Sequence, residues 1–198
     1  MRAILAAVVG AVVLFAWGAI FWMGLADLLG GLRRLDPAQE QAIVETLKQQ
    51  NLSTGVYYFP GMPTHGKDLP EDEARQLNDA WEARHEAGPL GVITYTAEGK
   101  PVMEPILFLR GFFIDLIASV LVCILIVAAA PGRFFKRWSI ACVFGLAASV
   151  AVHVVDWNWM FTPTDYTIMT CIDTTLGWAI AGLAIAAILP SHRPGKAN

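Results

Sequence analysis

Charge is what this chain has least of. Asp, Glu, Lys and Arg make up 16% of its 198 residues, where an ordinary soluble domain carries about a quarter. Cysteine is also sparse: Cys123, Cys142 and Cys171 are the three, with no C-x-x-C pair among them. That excludes a disulfide framework and a paired-cysteine zinc site, and it leaves the three as small apolar core residues. The chain has no Gly-rich phosphate loop and no G-x-S-x-G elbow, so neither phosphate-loop nor elbow-serine chemistry has a foothold. Covalent haem has no C-x-x-C-H site. A haem held by two histidines is excluded within one chain, because His153 is the one histidine in an apolar run. No catalytic residue, no cofactor and no metal site are expected. Basic residues form no patch suited to nucleic acid.

What the chain has is apolar length. Hydrophobic residues make up 56% of it. A run of about 18 or more apolar residues can cross a hydrocarbon core about 30 Å thick at about 1.5 Å per helical residue. Four such runs occur, around Ala3–Met23, Pro105–Ala130, Ser139–Met160 and Tyr166–Leu189. The expected fold is therefore membrane all-α: a four-helix transmembrane bundle with a small external α+β segment inserted between spans 1 and 2. The expected organisation is a first transmembrane helix over 1–26, an external segment over 27–104, transmembrane helices 2–4 over 105–189 and a cytoplasmic tail over 190–198. Gly24-Leu25-Ala26 offers a small-x-small cleavage motif. The run before it exceeds the roughly 7–15 residues of a signal core and carries Trp17 and Trp22, so it reads as a retained span.

Charge sign gives the orientation. Arg2, the loop PGRFFKRW with Arg133, Lys136 and Arg137, and the tail with Arg193 and Lys196 contain bases and no acid. Under the positive-inside rule these pieces are cytoplasmic. Asp27–Glu104 holds 13 Asp+Glu against 7 Lys+Arg, net −6, and is expected outside, in a bacterial inner (cytoplasmic) membrane.

Within that segment, Asp36-Pro37-Ala38-Gln39 has the form of a helix start, with Asp as N-cap and Pro at the first helical position. Thr54–Pro60 and Leu90–Thr96 read as short strands. Between them a second helix opens near Asp68-Leu69-Pro70-Glu71, with Leu77 and Trp81 on one face and Gly88-Pro89 as its stop. The strands pair either in parallel across that helix or antiparallel. His65 and His85 read as surface residues. In the spans, Ala6 with Gly10, Ala141 with Gly145 and Ser149, Gly177 with Ala181, and Gly182 with Ala186 fall at small-xxx-small spacing, which lets helices approach closely in lipid. The short turn at Thr162-Pro163-Thr164 makes spans 3 and 4 antiparallel neighbours.

The residues of greatest interest are charged ones within spans, each costing about 2.5–3.5 kcal/mol at mid-membrane. Arg110, Asp115, His153, Asp156 and Asp173 all fall toward one side, and they are the candidates for a ligand or proton site. Arg110 and Asp115, five apart, point about 140° away from each other, so Arg110 is expected to pair with Asp156 or Asp173 on another helix. His153 and Asp156 share a helix face at i, i+3. Trp157 and Trp159 in DWNWMF are interface candidates, either as an aromatic belt or as a docking surface.

The first span, the capped helix, Gly55-Val56-Tyr57-Tyr58-Phe59-Pro60-Gly61-Met62, Gly88-Pro89-Leu90-Gly91 and Tyr95 together resemble a group of small bacterial inner-membrane proteins with no known activity. The resemblance implies a bacterial membrane setting and brings no site residues. The leading expectation is a non-enzymatic accessory or assembly subunit of a larger membrane complex, with the lipid bilayer and other subunits or a second copy as partners. The runner-up is a protein that handles a small molecule, proton or ion at the polar cluster. A membrane enzyme acting on lipid or quinone ranks third.

Overall fold

A computed structural model describes residues 1–65, 67–129 and 132–190. The expected cytoplasmic tail beyond position 190 and the expected end of the second span at Ala130 lie outside the described residues. Among the described residues, four helices are long and apolar enough to cross a membrane: α1 (Arg2–Leu29), α4 (Pro105–Ala128), α5 (Phe134–Trp159) and α6 (Thr164–Ile188). Two shorter helices, α2 (Pro37–Gln49) and α3 (Glu71–Ala87), and two strands, β1 (Gly55–Phe59) and β2 (Gly91–Tyr95), lie between α1 and α4. The chain divides into two compact units. One comprises the described residues of Met1–Arg33, Pro101–Asn158 and Pro163–Asn198; the other is Arg34–Lys100 with Trp159–Thr162.

In the helical unit, α6 packs most extensively on α5 and next on α1, and α1 in turn packs on α4. The lateral order is thus α4–α1–α6–α5, with only a minor contact between α4 and α5. Small residues permit these approaches. A methyl group at Gly10 would strike the Ser119 hydroxyl, and it would lie 2.8 Å from Ile185. One at Gly145 would lie 2.6 Å from Cβ of Trp178, and one at Gly182 would lie 2.6 Å from Cβ of Ala141. Ala6, Ala141, Ser149, Ala181 and Ala186 are buried in the same contacts. Val122, Cys123, Ile126, Trp178, Ile185 and Leu189 fill one core cluster, and Phe21, Ala26 and Met169 a second. Ile117, Leu121, Val143 and Leu183 point outward, as helices solvated by acyl chains require.

Two of the long helices contain a π turn. In α1 it covers Phe21–Leu25, where the Ala26 N–H bonds the Phe21 carbonyl five residues back. In α5 it covers Val150–Val154. The third span begins at Phe134 rather than Ser139, so Arg137, read as a loop cation, lies in a helix instead. It is buried, and its Nε and Nη1 have no hydrogen-bond partner among the described residues.

The second unit is built from local signals. Oδ1 of Asp36 accepts from the N–H groups of Ala38 and Gln39 at 3.0 and 2.9 Å, and Gln39 Oε1 accepts from the Asp36 N–H at 3.2 Å. Such a reciprocal cap is typically worth ~1 kcal/mol. In α3, Glu71, Asp72 and Glu73 occupy the first turn and Arg84 and His85 the last, in agreement with the helix dipole. Gly88, at φ +65, ends it in a conformation that glycine adopts without strain. The strands pair antiparallel, with Gly55 opposite Tyr95, Tyr57 opposite Ile93 and Phe59 opposite Gly91. The Trp81 indole donates to the Pro60 carbonyl at 2.9 Å. His85, expected at the surface, is instead half-buried between the rings of Trp81 and Phe161. Still, none of the described residues of Arg34–Lys100 is fully buried.

Candidate functional site: a carboxylate pair among α1, α4 and α6

Asp173 is the centre of the polar cluster, and two indoles hold it. Trp17 Nε1 donates to its Oδ1 at 2.8 Å and to its backbone carbonyl at 3.1 Å, while Trp22 Nε1 donates to Oδ2 at 3.0 Å. Residues five apart on a regular α-helix point about 140° away from each other. The π turn that begins at Phe21 covers only the last step to Trp22, so it is the reach of the two long indole side chains that brings both N–H groups to Asp173. The sequence reading missed both indoles as ligands of Asp173, since regular helix periodicity sets them on different faces and their place in the sequence marks an aromatic belt.

The second π turn presents His153 to the residue beside Asp173. His153 Nε2 lies 3.0 Å from the Thr174 hydroxyl. One turn below, the Ser149 hydroxyl lies 2.9 Å from that of Thr175 and donates to the Gly145 carbonyl at 2.9 Å. These bonds fix the α5–α6 seam and with it the rotation of α6 that aims Asp173 at α1. Gly177 allows the approach from the other side, because a methyl group there would lie 2.9 Å from the Trp17 ring.

Asp115 arrives from α4. Together with Asp173 and Thr174 it forms the polar wall of a cavity of about 420 Å³. Phe15, Trp17, Trp22, Phe108 and Trp178 form the aromatic wall, and no Lys, Arg or His lines it. Asp115 and Asp173 line the same cavity, and both are half-buried. Asp115 makes no hydrogen bond or ion pair with a described residue, so its two oxygens are free for a ligand. Two like charges beside each other in an apolar setting are unfavourable unless a proton or a cation neutralises them. The arrangement can therefore hold a proton or a positively charged group.

The other members of the expected cluster lie apart from this cavity. Arg110 was expected to pair with Asp156 or Asp173, and it pairs with neither. It is exposed and makes no ion pair with a described residue. The reason is that two neutral N–H donors already satisfy Asp173, while a long Arg side chain in this position can carry its charge to the headgroup level. Asp156 is exposed and makes no hydrogen bond or ion pair with His153, whose Nε2 lies instead against the Thr174 hydroxyl. Trp157 donates to the Thr164 hydroxyl at 3.0 Å, bracing the α5–α6 turn. Trp159 is 70% exposed. A separate ion pair joins Arg33 to Asp165 at 2.9 Å. Among the described residues, no group of His, Cys, Asp and Glu could hold a metal ion.

Four long apolar helices define a multi-pass membrane protein, here with a carboxylate-bearing cavity among three of them. No protein-family model, curated protein or solved structure matches the chain.

Proposed function

We propose that this is a multi-pass protein of the bacterial inner membrane that binds a small cationic ligand or a proton at Asp115 and Asp173. The observation that carries the reading is the convergence of these two carboxylates on one aromatic-walled cavity with no basic residue in its lining. A carboxylate in a span is costly, and two of them in one cavity are harder to explain as packing. In this reading both termini are cytoplasmic, as the acid-free basic pieces around Arg2, Arg133 and Arg193 indicate. The cavity then opens in the outer half of the bilayer.

The test is binding by the purified full-length protein, read as a thermal shift across a panel of organic and inorganic cations and across pH. A ligand-dependent shift that Asp115→Asn abolishes supports the reading. A protein whose stability ignores every cation and proton concentration, with or without Asp115, sinks it.

A second reading is that the chain is a non-enzymatic accessory or assembly subunit of a larger membrane complex. One observation favours it: Arg34–Lys100 has no fully buried described residue, as expected of a segment completed by another surface. A stoichiometric protein partner in a mild detergent purification would support this second reading.

A further inference from the structure

We infer that the group this cavity takes is an organic ammonium, carried either by a lipid headgroup or by a free small amine, rather than a bare metal cation. The inference rests on the ligand-binding reading above and narrows it. Charge alone would admit any cation. Coordination chemistry does not. Hard metal cations demand about six or more oxygen ligands at close range. Here each oxygen of Asp173 already accepts an indole N–H, at 2.8 and 3.0 Å. The side-chain oxygens left to a cation are the Asp115 carboxylate, the second lone pair of each Asp173 oxygen and the hydroxyl of Thr174, which lies 3.0 Å from His153 Nε2. These are fewer than about six. An ammonium needs far less: one full countercharge, a few acceptors and a surface for its carbon substituents.

The aromatic wall provides that surface. Phe15, Trp17, Trp22 and Phe108 line the same cavity as the carboxylates. Aromatic rings attract ammonium groups through their electron-rich faces, and rings grouped around a cation are the usual means of binding quaternary ammonium. The volume agrees, since about 420 Å³ suits an ammonium with its first carbons and greatly exceeds a dehydrated metal ion. In this arrangement Asp115, which makes no hydrogen bond or ion pair with a described residue, is the countercharge that meets the ammonium. Asp173, pinned by two indoles, is a fixed second charge that also holds Trp17 and Trp22 in the wall.

The test uses the full-length protein in nanodiscs of phosphatidylglycerol alone. Tetramethylammonium, ethylammonium, sodium, potassium and magnesium are titrated separately, and binding is read by calorimetry and tryptophan fluorescence. The expected result is saturable ammonium binding at least tenfold tighter than that of any metal cation. Asp115→Asn should weaken ammonium binding at least tenfold. Trp22→Leu and Phe108→Leu should each weaken it several-fold, while Trp22→Phe retains most of it. Phe108 donates no hydrogen bond, so F108L keeps the test valid should W22L fold poorly. Replacing half the lipid with phosphatidylethanolamine separates the sources: a headgroup ligand copurifies in native mass spectrometry and competes with free ammonium, and a free amine is unaffected. Either source supports the inference. Metal cations binding as tightly as ammonium, with the same sensitivity to Asp115→Asn, would overturn the ammonium assignment and leave the cation site standing. Ammonium affinity indifferent to W22L and F108L would overturn it too. Failure of every cation to bind would remove both it and the reading beneath it.

Discussion

Trp17 joins α1 to α6 by giving its indole N–H to both the carboxylate and the backbone carbonyl of Asp173, at 2.8 and 3.1 Å. Trp22 adds a bond to the other carboxylate oxygen at 3.0 Å but is 42% exposed. Hydrogen bonds to charged groups are worth about 1.5–3 kcal/mol when their environment is dry. Trp17→Phe should therefore lower stability by about that amount, and Trp22→Phe by clearly less. Thermal melts of the two variants in one detergent check the order; equal losses, or a larger loss for Trp22→Phe, would contradict it.

The close helix contacts give a sharper contrast. Gly10→Ala and Gly145→Ala each place a methyl group into a neighbouring helix, whereas a methyl group at Gly18 meets nothing within 4 Å. Overpacking of this kind costs about 1–3 kcal/mol. The first two variants should melt earlier and Gly18→Ala should melt like the parent protein. A Gly145→Ala protein of unchanged stability would mean that α5 and α6 do not pack as closely as described.

The spans and their small-residue contacts were legible because hydropathy and four-residue spacing survive any detail of packing. The cap at Asp36 and the stop at Gly88 were legible for a similar reason, since both are local chemistry. The site was half legible. Asp115 and Asp173 stood out as charges in apolar runs, but their meeting depends on the lateral order α4–α1–α6, which nothing in either run encodes alone. The indole donors were hidden because Trp17 and Trp22, five apart, stand on different faces of a regular helix and meet only at Asp173, through the reach of their side chains. His153 was legible as a polar group in a span, but not that it would meet the Thr174 hydroxyl of another helix rather than Asp156 on its own. Arg137 misled in another way, because a basic cluster marks the rim of a membrane but does not say which of its members turns inward.

The segment between α1 and α4 should not stand by itself. None of the described residues of Arg34–Lys100 is fully buried, and a domain of this size buries only about 60–65% of its unfolded surface even when well packed. Asp27–Glu104 expressed alone is expected to show a broad, weakly cooperative melt by circular dichroism. A sharp transition above about 60 °C, in the range of stable domains, would refute that expectation.

Orientation has its own check. Six bases and no acids occupy the three pieces assigned to the cytoplasm, around Arg2, Arg133 to Arg137, and Arg193 to Lys196. Alkaline phosphatase fused after Gly61 should be active and after Gly132 inactive, since the enzyme folds only outside the cytoplasm. The reverse pattern would invert the topology and move the cavity to the inner half of the bilayer.

Arg110 offers the clearest separation between what spacing implies and what packing produces. Paired with Asp173 in an apolar setting, it would be indispensable: removing one partner of a buried pair costs about 3–5 kcal/mol, because the other charge is left stranded. It is instead exposed and has no ion pair with a described residue, while Asp173 draws its donors from Trp17 and Trp22. Arg110→Leu should then change stability by no more than about 0.5 kcal/mol, the usual range for surface positions. Removing a charge from a span also eases insertion, so expression should hold or rise. Asp173→Leu, in contrast, leaves two indole N–H groups without acceptors and should cost about 1–3 kcal/mol for each that stays dry. Melts of Arg110→Leu, Asp173→Leu and the double variant form a cycle whose coupling energy should lie near zero. A coupling of several kcal/mol would mean that Arg110 and Asp173 meet in the membrane after all, and that the two indoles are not what satisfies the carboxylate.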